Sequence, residues 1–348
     1  PEAEALESHR RTGADAMRRT AVIKLNGGLG TSMGLDRAKS LLEVRAGLSF
    51  LDLIARQVLA LRREFGAAVP LLLMDSFRTA EDADRVLASY PELARDDLPL
   101  SFLQHRVPKV DAVRLAPAFS PADPELGWCP PGHGDLYTAL ASSGALGALL
   151  DAGIEYAFVS NADNLGAVLD PAILGFMADE GIDFLLEAAL RTAADRKGGH
   201  LCRLQGGRLA LRESAQCAAE DEAAFQDLRR HRFFNTNNLW LRLPALADEL
   251  AAHGGFLPLP TLVNRKTLDP RDPSSPAVYQ LETAAGTAIS LFERAAAVQV
   301  PRRRFSPVKN TDDLLAVRSD AYELGADWRL TLAPGSSGPP VVSLDPRF

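Results

Sequence analysis

An apolar run that breaks into a glycine-rich loop constrains this chain more than any other stretch. Residues 21–40 read AVIKLNGGLGTSMGLDRAKS: a short β-strand, glycines at 27, 28, 30 and 34, then Lys39. Glycine reaches φ > 0 and carries no Cβ, so successive backbone N–H groups of such a loop can converge on phosphate oxygens. The lysine supplies the full charge that peptide dipoles lack. A Walker A loop is excluded, because Lys39 comes five residues after Gly34 instead of directly after it. A dinucleotide fingerprint fits poorly, because Gly28, Gly30 and Gly34 are spaced Gly-x-Gly-x-x-x-Gly, which argues against a nicotinamide oxidoreductase. On the loop alone, a plain strand-to-helix turn competes evenly with a phosphate cradle.

The rest of the chain alternates apolar with amphipathic segments. AVIKL is followed by FLDLIARQVLALRREF, then VPLLLMD, AEDADRVLASY and LSFLQ. In residues 50–65 the apolar Phe50, Leu51, Ile54, Val58 and Leu61 recur every three or four positions, the period of a helix with one buried face. YAFVSNADN from Tyr156 is a buried strand with a polar tip. This alternation predicts an α/β fold with a parallel or mixed sheet covered on both faces, and ligands collecting beyond the strands' carboxyl ends. IDFLLEAAL and FFNTNNLWLRL read as further strands, and GHLCRLQGGRLAL as a hairpin turning at Gly206 and Gly207. Residues 264–277, NRKTLDPRDPSSPA, read as an exposed, linker-like loop. Residues 1–20 read as a polar helical segment, 21–325 as the main domain, and 326–348 as strand-like pieces broken by Pro and Gly.

With 348 residues, 47% of them hydrophobic, the chain can bury the core of one large α/β domain or two smaller ones. Its net charge of −7 argues against nucleic acid or an anionic membrane as partner, so positive potential for an anionic ligand has to be local. Arg302, Arg303 and Arg304, near Lys309, are one source, although an exposed charged turn is the simpler expectation for the arginines. Cys129, Cys202 and Cys217 form no Cys-x-x-Cys pair, which indicates neither a zinc site nor a disulfide framework and fits a reducing cytoplasm. No apolar run approaches the roughly 20 residues of a membrane span.

KLNGGLGTSMG with the downstream AKSLLEV resembles the nucleotide-binding loop of eukaryotic-type UTP–glucose-1-phosphate uridylyltransferases, also called UDP-glucose pyrophosphorylases. Further motifs follow in that family's order: LLLMDSFRT, WCPPGHGDLY, FVSNADNLG, RKGG from Arg196, FFNTNNLW, QLETAAG and PVKNTDDLL. The resemblance implies a Rossmann-like mixed sheet flanked by helices, the nucleotide-diphospho-sugar transferase or glycosyltransferase-A-like fold. It makes 21–325 the catalytic domain and 326–348 the start of a C-terminal left-handed β-helix. The chain opens on Pro and stops as that β-helix would begin, so a longer parent chain is expected. The implied substrates are UTP and glucose 1-phosphate, with Mg²⁺ as cofactor. Oligomeric state is not set by the sequence.

Joining two polyanions asks for charge neutralisation and alignment more than for a strong base, because the phosphate nucleophile is already ionised. By resemblance, Leu25, Asn26, Gly27 and Gly28 hold the nucleotide, while Lys39 and Lys309 are the two catalytic lysines on the triphosphate. Asp163 matches the metal-binding aspartate, a hard oxygen donor suited to Mg²⁺, with an ordinary Asx-turn as the alternative. Gln104 resembles the glutamine that reads uracil, and Gly132 packs against the base. His133 and Asn161 stand near the sugar phosphate, and Glu213 and Asn235 bind glucose hydroxyls. Around Glu213 the chain reads RESAQCA where the family has VEIAQVP. Met74 is expected in the core, and Met33 and Lys24 are expected to be structural. The competing functions are a uridylyltransferase for galactose or N-acetylhexosamine 1-phosphate, and a non-catalytic nucleotide-sugar sensor. The N-acetylhexosamine branch typically carries a loop like LAGGQGTRLG, which is missing here. A sensor would tolerate loss of Lys39, Lys309 or Asp163, and all three are present.

Overall fold

A computed structural model describes residues 1–29, 33–35, 37–192, 195, 198–336 and 339–345. Gly30 of the glycine loop, and Arg196 and Lys197 of RKGG, lie outside the described residues. The core is a nine-stranded mixed sheet. Its strands are β1 (Thr20–Asn26), β2 (Leu71–Asp75), β3 (Ser101–Leu103), β4 (Tyr156–Asn161), β5 (Phe184–Leu190), β6 (Gly199–Arg203), β7 (Leu209–Glu213), β8 (Phe233–Arg242) and β9 (Ala295–Val300). They lie in the order β7-β6-β8-β4-β1-β2-β3, with β5 against β8 and β9 against β5. β1 runs parallel to β2 and β4, pairing Ile23 with both Leu72 and Val159. β2 and β3 are also parallel, so β1, β2, β3 and β4 all point their carboxyl ends to one edge.

Side chains alternate across a strand, so a sheet buried on both faces needs an unbroken apolar run. AVIKL meets that demand at every position but Lys24. Val22 faces one core with Leu71, Leu73 and Phe158, while Ala21, Ile23 and Leu25 face the other with Leu72 and Met74. Helix Phe50–Phe65 covers the first face with the five apolar residues of its predicted stripe, all buried. Ser49 and Asp52 form a capping box at its start, and Gly66 ends it at φ 57°. Met74 is buried as expected, and Lys24 is buried beneath the sheet, donating to Ser160 Oγ and the Ala167 carbonyl.

Two expectations are corrected. Residues 264–277 are not a linker: Thr261–Thr267 and Ala277–Thr283 form an antiparallel hairpin, with Asn264 opposite Gln280. β-branched Thr261, Val263 and Thr267 favour the strand, and only the Pro/Ser-rich 268–276 forms the turn. Nor are Arg302–Arg304 an exposed turn. Arg304 is buried on the carboxylate of Glu187, Arg302 pairs with Asp195, and Arg303 alone stays exposed, near Glu4. Near the C-terminus, Tyr322–Leu324 and Leu330–Leu332 pair as a hairpin that spans residue 326, with Trp328 and Leu330 packed on the core.

Candidate functional site

Beyond the carboxyl ends of β1, β2, β3 and β4 lies a cavity of about 260 Å³. Ten of the predicted residues line it: Leu25, Asn26, Gly27, Gly28, Lys39, Gln104, Gly132, His133, Asn161 and Asp163. The loop after β1 folds back on itself, so Lys39, distant in the motif, donates its backbone N–H to the Gly28 carbonyl at 3.2 Å. The Lys39 ammonium then reaches Asp163 Oδ2 at 2.6 Å, joining two residues 124 positions apart. Asp163 Oδ1 is buried without a partner, and so is the hydroxyl of Ser40, which lines the same wall. Ser40 was not singled out in the sequence. Only its burial beside Lys39 marks it.

The opposite wall depends on two close approaches. A Cβ at Gly27 would stand 2.5 Å from Gln104 Nε2, so this glycine makes room for the glutamine amide. Gly132 has φ +83° and a Cβ there would meet the Thr283 carbonyl at 2.5 Å, so the PPGHGD turn packs directly on the end of the hairpin strand Ala277–Thr283. One residue on, His133 Nδ1 accepts the Ala285 N–H at 3.0 Å. That bond fixes the neutral tautomer with its proton on Nε2, and burial lowers the ring to about 4. His133 is thus a neutral donor at working pH. Asp135, in the same turn, takes the backbone N–H of His105 at 2.7 Å and its ring Nδ1 at 2.9 Å, fixing the residue next to Gln104.

Lys309, Glu213 and Asn235 do not line that cavity; they stand beside it. The segment carrying Lys309 is strapped to the loop after β4. Asn164 holds the Arg304 carbonyl at 3.0 Å and the Ser306 N–H at 3.1 Å, and the Val308 N–H donates to the Asp163 carbonyl at 3.1 Å. Lys309 therefore follows directly on the residue bound to Asp163. Burial pushes Glu213 up to about 7, and the nearby Lys309 charge holds it down in part. Asn235 Oδ1 accepts the Asn237 N–H, and Asn237 Nδ2 donates to Asn161 Oδ1 at 2.8 Å, so a line of amides joins the two groups.

Asp75, buried at the end of β2, stands behind the cavity-lining Asn26. Its Oδ1 accepts from Asn26 Nδ2 at 2.6 Å, while Oδ2 is buried and unpartnered, and burial raises the carboxyl from 3.8 to about 7. The folded state therefore keeps a proton that the unfolded chain loses between those values, and stability falls as pH rises through that window. Asp75→Asn is expected to be more stable than the parent at pH 8, by up to about 4 kcal/mol, with the gap closing toward pH 4. Urea denaturation at both pH values measures it, and an equal gap at both would refute the assignment.

Among the described residues no cluster of three or more His, Cys, Asp and Glu could cage a metal. Mg²⁺ does not require one, since it is commonly held by one or two carboxylates plus substrate phosphates. The orphaned Oδ1 of Asp163 in the wall of that cavity fits that mode.

The sequence model of the UTP–glucose-1-phosphate uridylyltransferase family matches residues 2–348. The chain belongs to that family. It is 44% identical over 337 residues to a probable UTP–glucose-1-phosphate uridylyltransferase of Schizosaccharomyces pombe, covering 96% of this chain and 65% of that one. It is 42% identical over 331 residues to the UTP–glucose-1-phosphate uridylyltransferase of Solanum tuberosum, covering 94% and 67%. A crystal structure of a mutant UDP-glucose pyrophosphorylase from Leishmania major in complex with UDP-glucose superposes with a TM-score of 0.89 at 48% identity, covering 96% of this chain and 72% of that chain. This member of the uridylyltransferase family thus spans about two thirds of the length of these curated relatives. The mixed α/β sheet expected from the sequence is the fold it shares with the Leishmania protein. No helix among the described residues is long and apolar enough to cross a membrane.

Proposed function

We propose that this protein is a UTP–glucose-1-phosphate uridylyltransferase that forms UDP-glucose and pyrophosphate. The observation that carries the proposal is the Lys39–Asp163 pair at the mouth of the glycine loop, with Lys309 strapped behind Asp163. A triphosphate lying along Gly27 and Gly28 brings its anionic oxygens against Lys39, and Gln104 stands where a pyrimidine amide edge needs a paired donor and acceptor. The sugar 1-phosphate enters beside Asn161, His133, Glu213 and Asn235. Its phosphate oxygen attacks the α-phosphorus of UTP, the bond to the β-phosphate oxygen breaks, and pyrophosphate leaves with that electron pair. Lysines on both sides neutralise charge that shifts toward the leaving group. Mg²⁺, held by Asp163 and substrate phosphates, would add Lewis-acid neutralisation at the same oxygens. Neutral His133 offers Nε2–H to a phosphate or hydroxyl oxygen without needing protonation. The small acidic-surfaced chain is proposed to work in the cytoplasm.

The test is pyrophosphate release from UTP with Mg²⁺ and a panel of sugar 1-phosphates. Release with glucose 1-phosphate is expected. Release only with galactose or N-acetylglucosamine 1-phosphate would overturn the sugar assignment, and release with none would overturn the enzymatic reading.

A further inference from the structure

Away from the cavity at the carboxyl edge of the sheet, a serine, a histidine and a carboxylate stand in line. Asp135 precedes helix Leu136–Ser142, and Ser142 ends it. Seven positions make two helical turns, so the two residues share one face, about 10 Å apart along the axis. His105, two residues past the end of β3, lies between them. Its ring Nδ1 is 2.9 Å from Asp135 Oδ1, and its Nε2 is 3.1 Å from Ser142 Oγ. None of the three lines the cavity of Lys39 and Asp163.

Chemistry sets the direction of each bond. A carboxylate only accepts, so the neutral imidazole keeps its proton on Nδ1, and the Nε2 lone pair faces a serine hydroxyl that donates to it. Asp135 Oδ2 also accepts the backbone N–H of His105 at 2.7 Å, so one buried carboxyl holds both the ring and the main chain of that histidine. Nucleophile, base and orienter are thus in hydrogen-bond contact, the arrangement that activates a hydroxyl on unrelated folds. Ser142 is exposed, so a reagent reaches it from solvent.

The end of the helix limits the reaction. The N–H groups of Ser143 and Gly144 are spent on the Ala139 and Ala141 carbonyls, so this turn offers no backbone pair to a tetrahedral oxyanion. The donor must bring a weakly basic leaving group instead. We propose that Ser142 is a modification site that accepts an acyl group from activated esters, with His105 as its base and Asp135 as a positioning residue. Ser142 Oγ attacks the ester carbonyl carbon while its proton passes to His105 Nε2. The bond to the leaving oxygen breaks, the aryloxide or alkoxide departs with that electron pair, and Nε2 returns its proton to the leaving group or to water. An O-acylserine remains, and its hydrolysis is slow for want of the same oxyanion donors, so the site is filled once instead of turning over.

The probe is p-nitrophenyl acetate, with p-nitrophenolate release followed by absorbance and acetylated residues mapped by peptide mass spectrometry. The parent is expected to give a stoichiometric burst with acetyl on Ser142, and Ser142→Ala to lose that burst. His105→Gln, a change at an exposed position, is expected to slow acetylation of Ser142 on the order of a hundredfold, the usual contribution of a positioned base. Asp135→Asn keeps the size of the side chain but turns a donor toward His105, either to the ring or to the main chain, and is expected to slow it as well. A circular-dichroism melt confirms that each variant is folded. Acetyl found on lysines and cysteines with Ser142 bare would overturn the proposal. So would acetylation of Ser142 at the parental rate in His105→Gln, which would mark it as an ordinary surface serine.

Discussion

Lys39→Ala is expected to lower kcat by about 10²- to 10³-fold, the usual loss when one preorganised electrostatic donor to a transition state is removed. Two effects add here. The first is the missing positive charge at the end of the glycine loop. The second comes from Asp163, whose carboxylate is held at 2.6 Å by the Lys39 ammonium, with both side chains less than one fifth exposed. Without the lysine that carboxylate faces the incoming triphosphate uncompensated, so KM for UTP is expected to rise as well. Lys39→Arg separates the two effects. It keeps the charge, but a planar fork cannot occupy the place of a compact ammonium, so UTP binding should recover more than kcat. Steady-state kinetics with a circular-dichroism check of folding decide the matter. Near-parental turnover in Lys39→Ala would remove Lys39 from the catalytic assignment.

What could be read from the letters alone followed local periodicity. β1, β2 and β4 are continuous apolar runs because both faces of the sheet are covered, and helix Phe50–Phe65 declares its face, its capping box and its terminal glycine within 18 residues. Lys39 was placed by its distance from the glycines, yet its contact with Asp163 depends on how the loop folds back, which spacing does not encode. Residues 264–277 misled because proline and serine at the turn outweighed the strand that leads into it. The arginines misled for a different reason. A basic run looks solvated unless its partner is known, and the partner of Arg304 is 117 residues earlier in the chain. Asn164, Asp135 and Ser40 share one property. Each acts through a bond to a residue distant in sequence, or through the lack of one, and a single sequence carries no trace of either.

The buried pair behind Lys309 sets the second large effect. Glu187 is wholly buried in β5 and its carboxylate accepts four contacts: Arg304 Nη2 at 2.5 Å, Arg304 Nε at 2.9 Å, Asn238 Nδ2 at 2.9 Å and Trp240 Nε1 at 3.0 Å. Arg304 also reaches the Val168 carbonyl, and Lys24 lies close enough that burial and the Arg304 charge bring its ammonium down to about 7. Glu187 is therefore the carboxylate hydrogen-bonded to Arg304, with Asp170 Oδ2 a looser ion-pair partner at 3.9 Å, and it lies close to a second buried cation. Glu187→Gln keeps the shape, removes the charge and turns an NH₂ donor toward other donors. Breaking a buried pair from one side costs about 3–5 kcal/mol, because the remaining charge stays buried without its counter-ion. Denaturant unfolding of Glu187→Gln is expected to show a loss of that size, and a loss below about 1 kcal/mol would show that the pair is not the anchor it looks to be. Adding Arg304→Met should return part of the stability, since the stranded guanidinium is then gone. It should not return activity. Arg304 begins the strap that runs through Asn164 and Asp163 to Lys309, so both variants are expected to lose kcat, while the KM for UTP, whose proposed contacts include Gly27 and Gln104 outside the strap, is expected to hold. Stability restored without turnover would separate the two tasks of this ion pair: neutralising buried charge, and placing a lysine.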